Sequence, residues 1–304
     1  MLELNITNEF SRLRAVVLGT ANSNGPTPTL QQAYDPKSAA HIKAGTYPKN
    51  EDMIVEMEGV AAVLEKYGVT VYRPSQIENY NQIFSRDIAF VIDNIFIKAN
   101  ILSNRAREIG ALQYVIDQIH PQKVVTFPQQ VHIEGDDVMP YGNYIFVGTY
   151  YGDDYSSYIT ARTNMAAVTA LQKLFPKKIV KPFNLKKSNT VAQDNALHLD
   201  CCFQPLGHGR CIIHKDGFLL EEEYQWLLDF FGPENCFHID KQEMYHMNSN
   251  IFSISEDVII SEKNFTRLNS WLVDKGYTVE EVCYGEIAKQ EGLLRCSTMP
   301  LFRD

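Results

Sequence analysis

The sequence predicts an α/β protein built from one unit repeated five times and closed into a ring. Three observations carry that expectation. A β-hairpin followed by an amphipathic helix and a short apolar strand recurs along the chain. The hairpins break at turn-forming residues. Neither end of the series carries the atypical polar cap that an open solenoid requires. An unclosed α/β arrangement is the alternative.

The units follow in chain order. The first has a strand at 14–19, a long Pro/Asn/Gly-rich loop, a helix at 52–67 and a strand at 69–74, and the second strand of its hairpin is not found. The second has a hairpin at 88–99 that turns at Asp93-Asn94. Its helix, 104–119, puts Ile109, Leu112, Val115, Ile116 and Ile119 on one face, and its strand, 123–128, ends at proline. The third has a hairpin at 137–149, turning at Tyr141-Gly142-Asn143, a helix at 163–175 and a strand at 178–183. The fourth has a hairpin at 201–214, turning at 207–209, a helix at 221–231 and a strand at 236–239. The fifth has a hairpin at 250–261, a helix at 265–275 and a strand at 277–282. Units of this size in a closed ring make one domain spanning 1–304.

Composition narrows the function. Of 304 residues, 45% are apolar and 21% charged, so the chain is neither disordered nor low in complexity. With 28 basic against 37 acidic residues the net charge is −9, which repels phosphate backbones and suits a cationic or zwitterionic small molecule instead of nucleic acid. No run approaches the ~20 apolar residues that span a bilayer. Glu3, Glu9, Arg12 and Arg14 interrupt the first twenty residues, so no secretory signal is expected. Six cysteines without a CxxC pair fit reduced thiols and a cytoplasmic protein. Cys201, Cys202, Cys211, Cys236 and Cys283 lie in strand-like runs and are expected in the core.

Four segments carry chemistry. They are Phe84-Ser85-Arg86-Asp87, Ile133-Glu134-Gly135-Asp136-Asp137, Leu197-His198-Leu199-Asp200 and Gly292-Leu293-Leu294-Arg295-Cys296. Three lie just before a hairpin, and a ring brings all four to its centre. They supply a nucleophile, a base and several carboxylates. A lone cysteine with a distant histidine is a weak catalytic signature by itself. Each residue also has a plain structural role open to it: a buried small hydrophobe, a satisfied histidine, an ion pair or a turn carboxylate.

The combination resembles the guanidino-group-modifying superfamily of arginine deiminases, dimethylarginine hydrolases and amidinotransferases. The resemblance starts at Asn8-Glu9-Phe10 and Leu13-Arg14-Ala15-Val16-Val17-Leu18-Gly19. It continues through Arg86-Asp87, Arg105 and Glu108, the EGDD segment, Arg162-Thr163-Asn164, the HLD segment and RCSTMP at 295–300. It implies a pentein-like, five-bladed α/β propeller and catalysis without metal or organic cofactor. It implies Cys296 as nucleophile, His198 as acid and base, Glu134 as the residue orienting His198, and Asp87 and Asp200 as the carboxylates that bind the guanidinium. Arg105 and Arg162 become candidates for gripping a substrate carboxylate. The expected reaction is hydrolysis of arginine or a close analogue through a covalent amidino-cysteine. Transfer of the amidino group to an amine such as glycine is the alternative. A non-catalytic binding protein on the same fold is a third reading, and a homodimer is possible for such rings.

Two departures stand out: Asp136 replaces the second glycine of E-G-G-D, adding a negative charge beside the base, and Leu293 occupies a position that is usually glycine. Carboxylates around Cys296 are expected to raise its thiol pKa. The aromatic, acidic stretch 150–161 fits either a lid or a surface loop. His198 with Cys201 and Cys202 lacks a second zinc-spaced pair, so no structural metal is expected. No G-x-G-x-x-G or P-loop pattern occurs.

Overall fold

The computed structural model describes residues 1–153 and 158–304. Among the described residues, fifteen strands pair into five three-stranded sheets. β1 (Leu13–Leu18) and β2 (Thr70–Tyr72) belong to the first. β3 (Ala89–Ile92), β4 (Ile95–Lys98) and β5 (Val124–Thr126) form the second. β6 (Val138–Tyr141), β7 (Tyr144–Thr149) and β8 (Ile179–Asn184) form the third. β9 (Phe203–Pro205), β10 (Cys211–Ile213) and β11 (Cys236–His238) form the fourth. β12 (Phe252–Ser253), β13 (Val258–Glu262) and β14 (Thr278–Val282) form the fifth.

The strand missing from the first unit comes from the other end of the chain. β15 (Thr298–Arg303) pairs antiparallel with β1, Val17 opposite Met299 and Leu18 opposite Thr298, while β1 runs parallel to β2. Every sheet therefore has the same pattern, an antiparallel pair followed by a third strand parallel to the second. A parallel third strand needs a crossover segment, which is where the helices fall.

Helix Asn50–Lys66 buries Met53, Met57, Val60, Ala61 and Leu64, one face at helical spacing. Helix Met165–Leu174 is capped by the Asn164 side chain, which accepts from the Ala167 N–H at 3.2 Å. Helix Glu221–Phe231 matches its expected span and buries Tyr224, Leu227 and Phe231, and Thr266–Asp274 is one residue short at each end. No helix among the described residues is long and apolar enough to cross a membrane.

Three expectations need correction. The helix expected at 104–119 is broken into two 3₁₀ turns, Ser103–Arg105 and Glu108–Leu112, and a single α-turn, Gln113–Ile116. Tertiary partners take carbonyls that a continuous helix uses internally: Asn104 O accepts from the Tyr80 hydroxyl, and Ala111 O accepts from the Ser75 N–H at 2.9 Å. Within the long first loop lies helix Pro36–Ala44, with Asp35 as N-cap, proline in its first turn and Gly45 at φ +69° closing it. That Asp-Pro start and glycine stop were readable as helix signals. Cys283 is exposed, not in the core, and Cys201 sits in a 3₁₀ turn, not a strand.

Candidate active site

Each sheet contributes the segment just before the first strand of its antiparallel pair. Ser85–Ile88 precedes β3, Gly135–Asp137 precedes β6, Leu199–Cys201 precedes β9, and the turn at 293–297 precedes β15. The fifth, at 248–250, precedes β12 and was missed in the sequence; its place in the repeat was the signal. These segments meet closely. A Cβ on Gly135 would lie 2.2 Å from the Arg86 carbonyl oxygen, so only glycine fits there.

Cys296 is 3% exposed. Its sulfur accepts from Asn250 Nδ2 at 3.1 Å and lies 3.7 Å from Asp200 Oδ2. Asn250 Oδ1 in turn accepts the backbone N–H groups of Arg295, at 2.8 Å, and Cys296, at 3.4 Å, which fixes the turn that carries Cys296. Burial, followed by the charges of Asp136, Asp200 and Asp87, pushes the thiol well above its ordinary value, as the acidic surroundings led us to expect.

His198 Nε2 meets Glu134 Oε2 at 2.8 Å, and its Nδ1 edge is 4.0 Å from Asp136 Oδ2. Burial opposes a charged imidazole, but the Glu134 hydrogen bond and the charges of Asp137, Glu134 and Asp87 outweigh it and raise the His198 pKa. Burial also opposes ionised Glu134, yet Arg162 and His198 hold it below its ordinary value. Arg162 Nη1 reaches both Glu134 oxygens, at 3.3 and 3.1 Å.

Asp87 and Asp136 form a buried carboxyl pair. Arg105, Asp136 and His198 overcome burial to keep Asp87 ionised, whereas burial and the charges of Asp200 and Asp87 push Asp136 well up. The negative charge expected from the sequence at Asp136 is thus disfavoured beside His198 by burial and by the neighbouring carboxylates. It also sits at the centre of two possible metal-ligand groups, Asp87-Asp136-His198 and Asp136-Asp200-Cys296, whose donor atoms lie within 4.8 Å of one another. Leu293 points into the apolar core and a separate cavity.

The chain's own Arg295 crosses the middle of the cluster, fully buried. Nη1 donates to Asp200 Oδ2 at 3.1 Å and to the Asp136 carbonyl at 3.0 Å, while Nε and Nη2 reach Glu9 at 3.2 and 3.3 Å. Sequence reasoning named Arg295 and Glu9 only as parts of motifs. Long-range pairing across 286 positions leaves no local signal.

Arg105 and Arg162 line the cavity with Cys296, His198 and Asp87. Arg105 is gripped by Glu108, at 2.7 and 2.9 Å, and bonds Asp87 and the Phe84 carbonyl. Arg162 also donates to the carbonyls of Ile159 and Tyr34. Among the described residues each guanidinium thus makes four bonds against five N–H donors. The Tyr34 ring lies over both, 5.8 and 5.7 Å from the guanidinium carbons. The cavity at Cys296 measures about 10 Å³, and a second of about 400 Å³ shares Tyr34, Asp35 and Arg105 with it. Of the stretch 150–161, Tyr150 and Tyr158 stack at 5.4 Å; residues 154–157 of that suggested lid lie outside the described residues.

The fold is that of the guanidino-group-modifying enzymes. The N-terminal domain of ArgZ, an arginine dihydrolase from Cyanobacteria bound to product, superposes with TM-score 0.78 at 15% identity over 95% of this chain and 97% of that one. The inosamine-phosphate amidinotransferase StrB1 from Streptomyces griseus superposes with TM-score 0.76 at 16% identity over 100% of this chain and 97% of that one. Among curated sequences, the uncharacterized protein YkgA from Bacillus subtilis (strain 168) is 27% identical over 230 residues, 73% of this chain and 70% of that one. No family model matches.

Proposed function

We propose that this chain is a cysteine-dependent guanidine-modifying enzyme, one catalytic domain over 1–304 with its five sheets set as the blades of an α/β propeller. The carrying observation is the convergence of Cys296, the His198–Glu134 pair, Asp87 and Asp200 on one buried cluster. A cysteine beside three carboxyls is a poor place for a free thiolate and a good one for a cation. A guanidinium held by Asp87 and Asp200 in charge-assisted hydrogen bonds supplies the missing positive charge.

With substrate in place, the Cys296 thiol loses its proton to solvent and the sulfur attacks the central guanidinium carbon. His198 protonates the departing nitrogen, which leaves as ammonia, and the carbon remains bonded to sulfur as an amidino-thioether. His198 then takes a proton from water, the hydroxide adds to that carbon, and the sulfur leaves to give a ureido product. Glu134 holds the imidazole with Nδ1 toward the cluster throughout. Arg105 and Arg162 are the groups offered to a substrate carboxylate, each through its remaining N–H. The substrate is arginine or a close analogue, and free thiols fit action in the cytoplasm.

Amidino transfer to an amine is the second reading, favoured by a likeness to StrB1 that runs the full length of the chain. Mass-spectrometric product analysis with L-arginine, with and without glycine, separates the two. Citrulline without glycine, absent in Cys296→Ala, supports hydrolysis. Ornithine formed only with glycine supports transfer. Ornithine with ammonia and no acceptor means complete guanidine removal. No turnover of any guanidine removes the proposal.

A further inference from the structure

We infer that the Asp35–Glu291 carboxyl pair, which lines the same cavity as Cys296, is the receptor for a primary ammonium group on the substrate. This rests on the guanidine-modifying reading and adds its substrate class: guanidines that carry a second, amine-derived cation.

Both residues line the same cavity as Cys296 and His198, beside Tyr34 and Gln290. They are 4% and 5% exposed. Their donors can be counted. Glu291 Oε1 accepts from Asn195 Nδ2 at 2.6 Å, and Oε2 from the Lys37 N–H at 3.2 Å. Asp35 Oδ1 accepts from the Ser38 N–H at 2.6 Å. Asp35 Oδ2 accepts from no neighbouring N–H or hydroxyl group, although it is buried. A buried carboxylate oxygen without a donor is costly, and such groups call for an explanation.

No arginine or lysine side chain pairs with either carboxyl among the described residues. Asp87, Glu134 and Asp200 each have an arginine. The nearest cation in sequence, Lys37, is turned elsewhere: its Nζ donates to the Tyr245 carbonyl at 2.6 Å and lies over that ring, 4.7 Å from its centre. Burial, the Asp35 charge and a hydrogen bond to Asp35 keep Glu291 well above its ordinary pKa. Glu291 also holds a left-handed backbone, φ +56°, which is uncommon outside glycine, and its side chain reaches the Lys37 N–H two residues from Asp35.

An ammonium offers three N–H donors and a full charge. Seated between Asp35 and Glu291 it reaches the unserved Oδ2 and favours ionisation of Glu291, whose proton goes to solvent. The guanidinium and the ammonium of one substrate are then each met by two carboxyls.

The test compares substrates that differ only in the amine: L-arginine against 5-guanidinopentanoate, and agmatine against butylguanidine. Turnover and calorimetric binding are measured for the wild type, Glu291→Gln and Asp35→Asn. Asparagine retains the helix cap, so the second variant keeps the loop built even where the first fails to fold. The amine-bearing member of at least one pair is expected to win by about tenfold or more in the wild type, with about one proton released on binding. That preference should fall below about threefold in a folded variant. Equal values within both pairs, or a preference that survives in both variants, overturn the inference. So does failure of the amine-bearing members to bind. Binding with the expected preference but without turnover supports this site and defeats the guanidine-modifying reading, so the two failures are distinct.

Discussion

Asn250 Nδ2 donates to Cys296 Sγ at 3.1 Å, the one N–H contact on the sulfur among the described residues. The same side chain holds the Arg295 and Cys296 amides, so it positions the sulfur and offers a dipole to the negative charge that forms on it. Hydrogen bonds to charged groups are worth about 1.5–3 kcal/mol. Asn250→Ala should therefore lower kcat/KM by roughly 10–100-fold. It should also slow iodoacetamide labelling of Cys296, read by intact mass, and an unchanged labelling rate contradicts the role.

The pH profile of labelling follows from the raised thiol pKa. A raised pKa leaves the neutral thiol dominant at pH 7, so labelling is slow there and climbs as pH rises beyond 9. Asp136 is the largest charge acting on the thiol after burial. Asp136→Asn removes it with little change of shape, so the climb should begin at lower pH.

Glu134→Gln keeps a hydrogen-bond acceptor beside His198 and deletes the charge that helps keep it protonated. The imidazole pKa, followed by NMR titration, should fall. Turnover should drop by about 10²–10⁴-fold, the span of general acid–base catalysis. A drop in kcat without movement of the His198 titration argues that Glu134 acts in another way.

Arg295 neutralises Glu9, Asp136 and Asp200 from a fully buried position. Arg295→Leu strips one partner from a buried ionic cluster and should cost about 3–5 kcal/mol of stability. Denaturant unfolding measures it, and a loss under about 1 kcal/mol excludes this role.

Tyr34 lines both the small cavity at Cys296 and the larger one. Tyr34→Ala should open the two into one and speed iodoacetamide labelling of Cys296 at fixed pH. Equal rates place the entrance elsewhere.

Much of this protein was legible locally. The hairpin turn at Asp93-Asn94 and the helix at Glu221–Phe231 are where pattern and propensity put them, because turn chemistry and the burial of one helix face act over a few residues. The site segments were legible for a related reason. They stand at repeated positions ahead of the hairpins and carry residue types with chemistry of their own. Asn250 escaped because an asparagine before a strand looks like any turn residue until the repeat is used to place it. The broken segment at 103–116 escaped because its carbonyls bond Tyr80 and Ser75, partners distant in sequence.

The sequence by itself determined the five repeated units, the hairpins and the cysteine, histidine and carboxylates that line the site. These depend on period, turn residues and side-chain chemistry, all read within a short window. Only the tertiary structure decided that the first sheet is finished by Thr298–Arg303, that Arg295 fills the centre, that burial and its neighbours push the Asp136 carboxyl up, and that Arg105 and Arg162 are already bound to carboxylates. Each of these is set by groups far apart in the chain, brought together in a buried space where desolvation makes every charge depend on its neighbours.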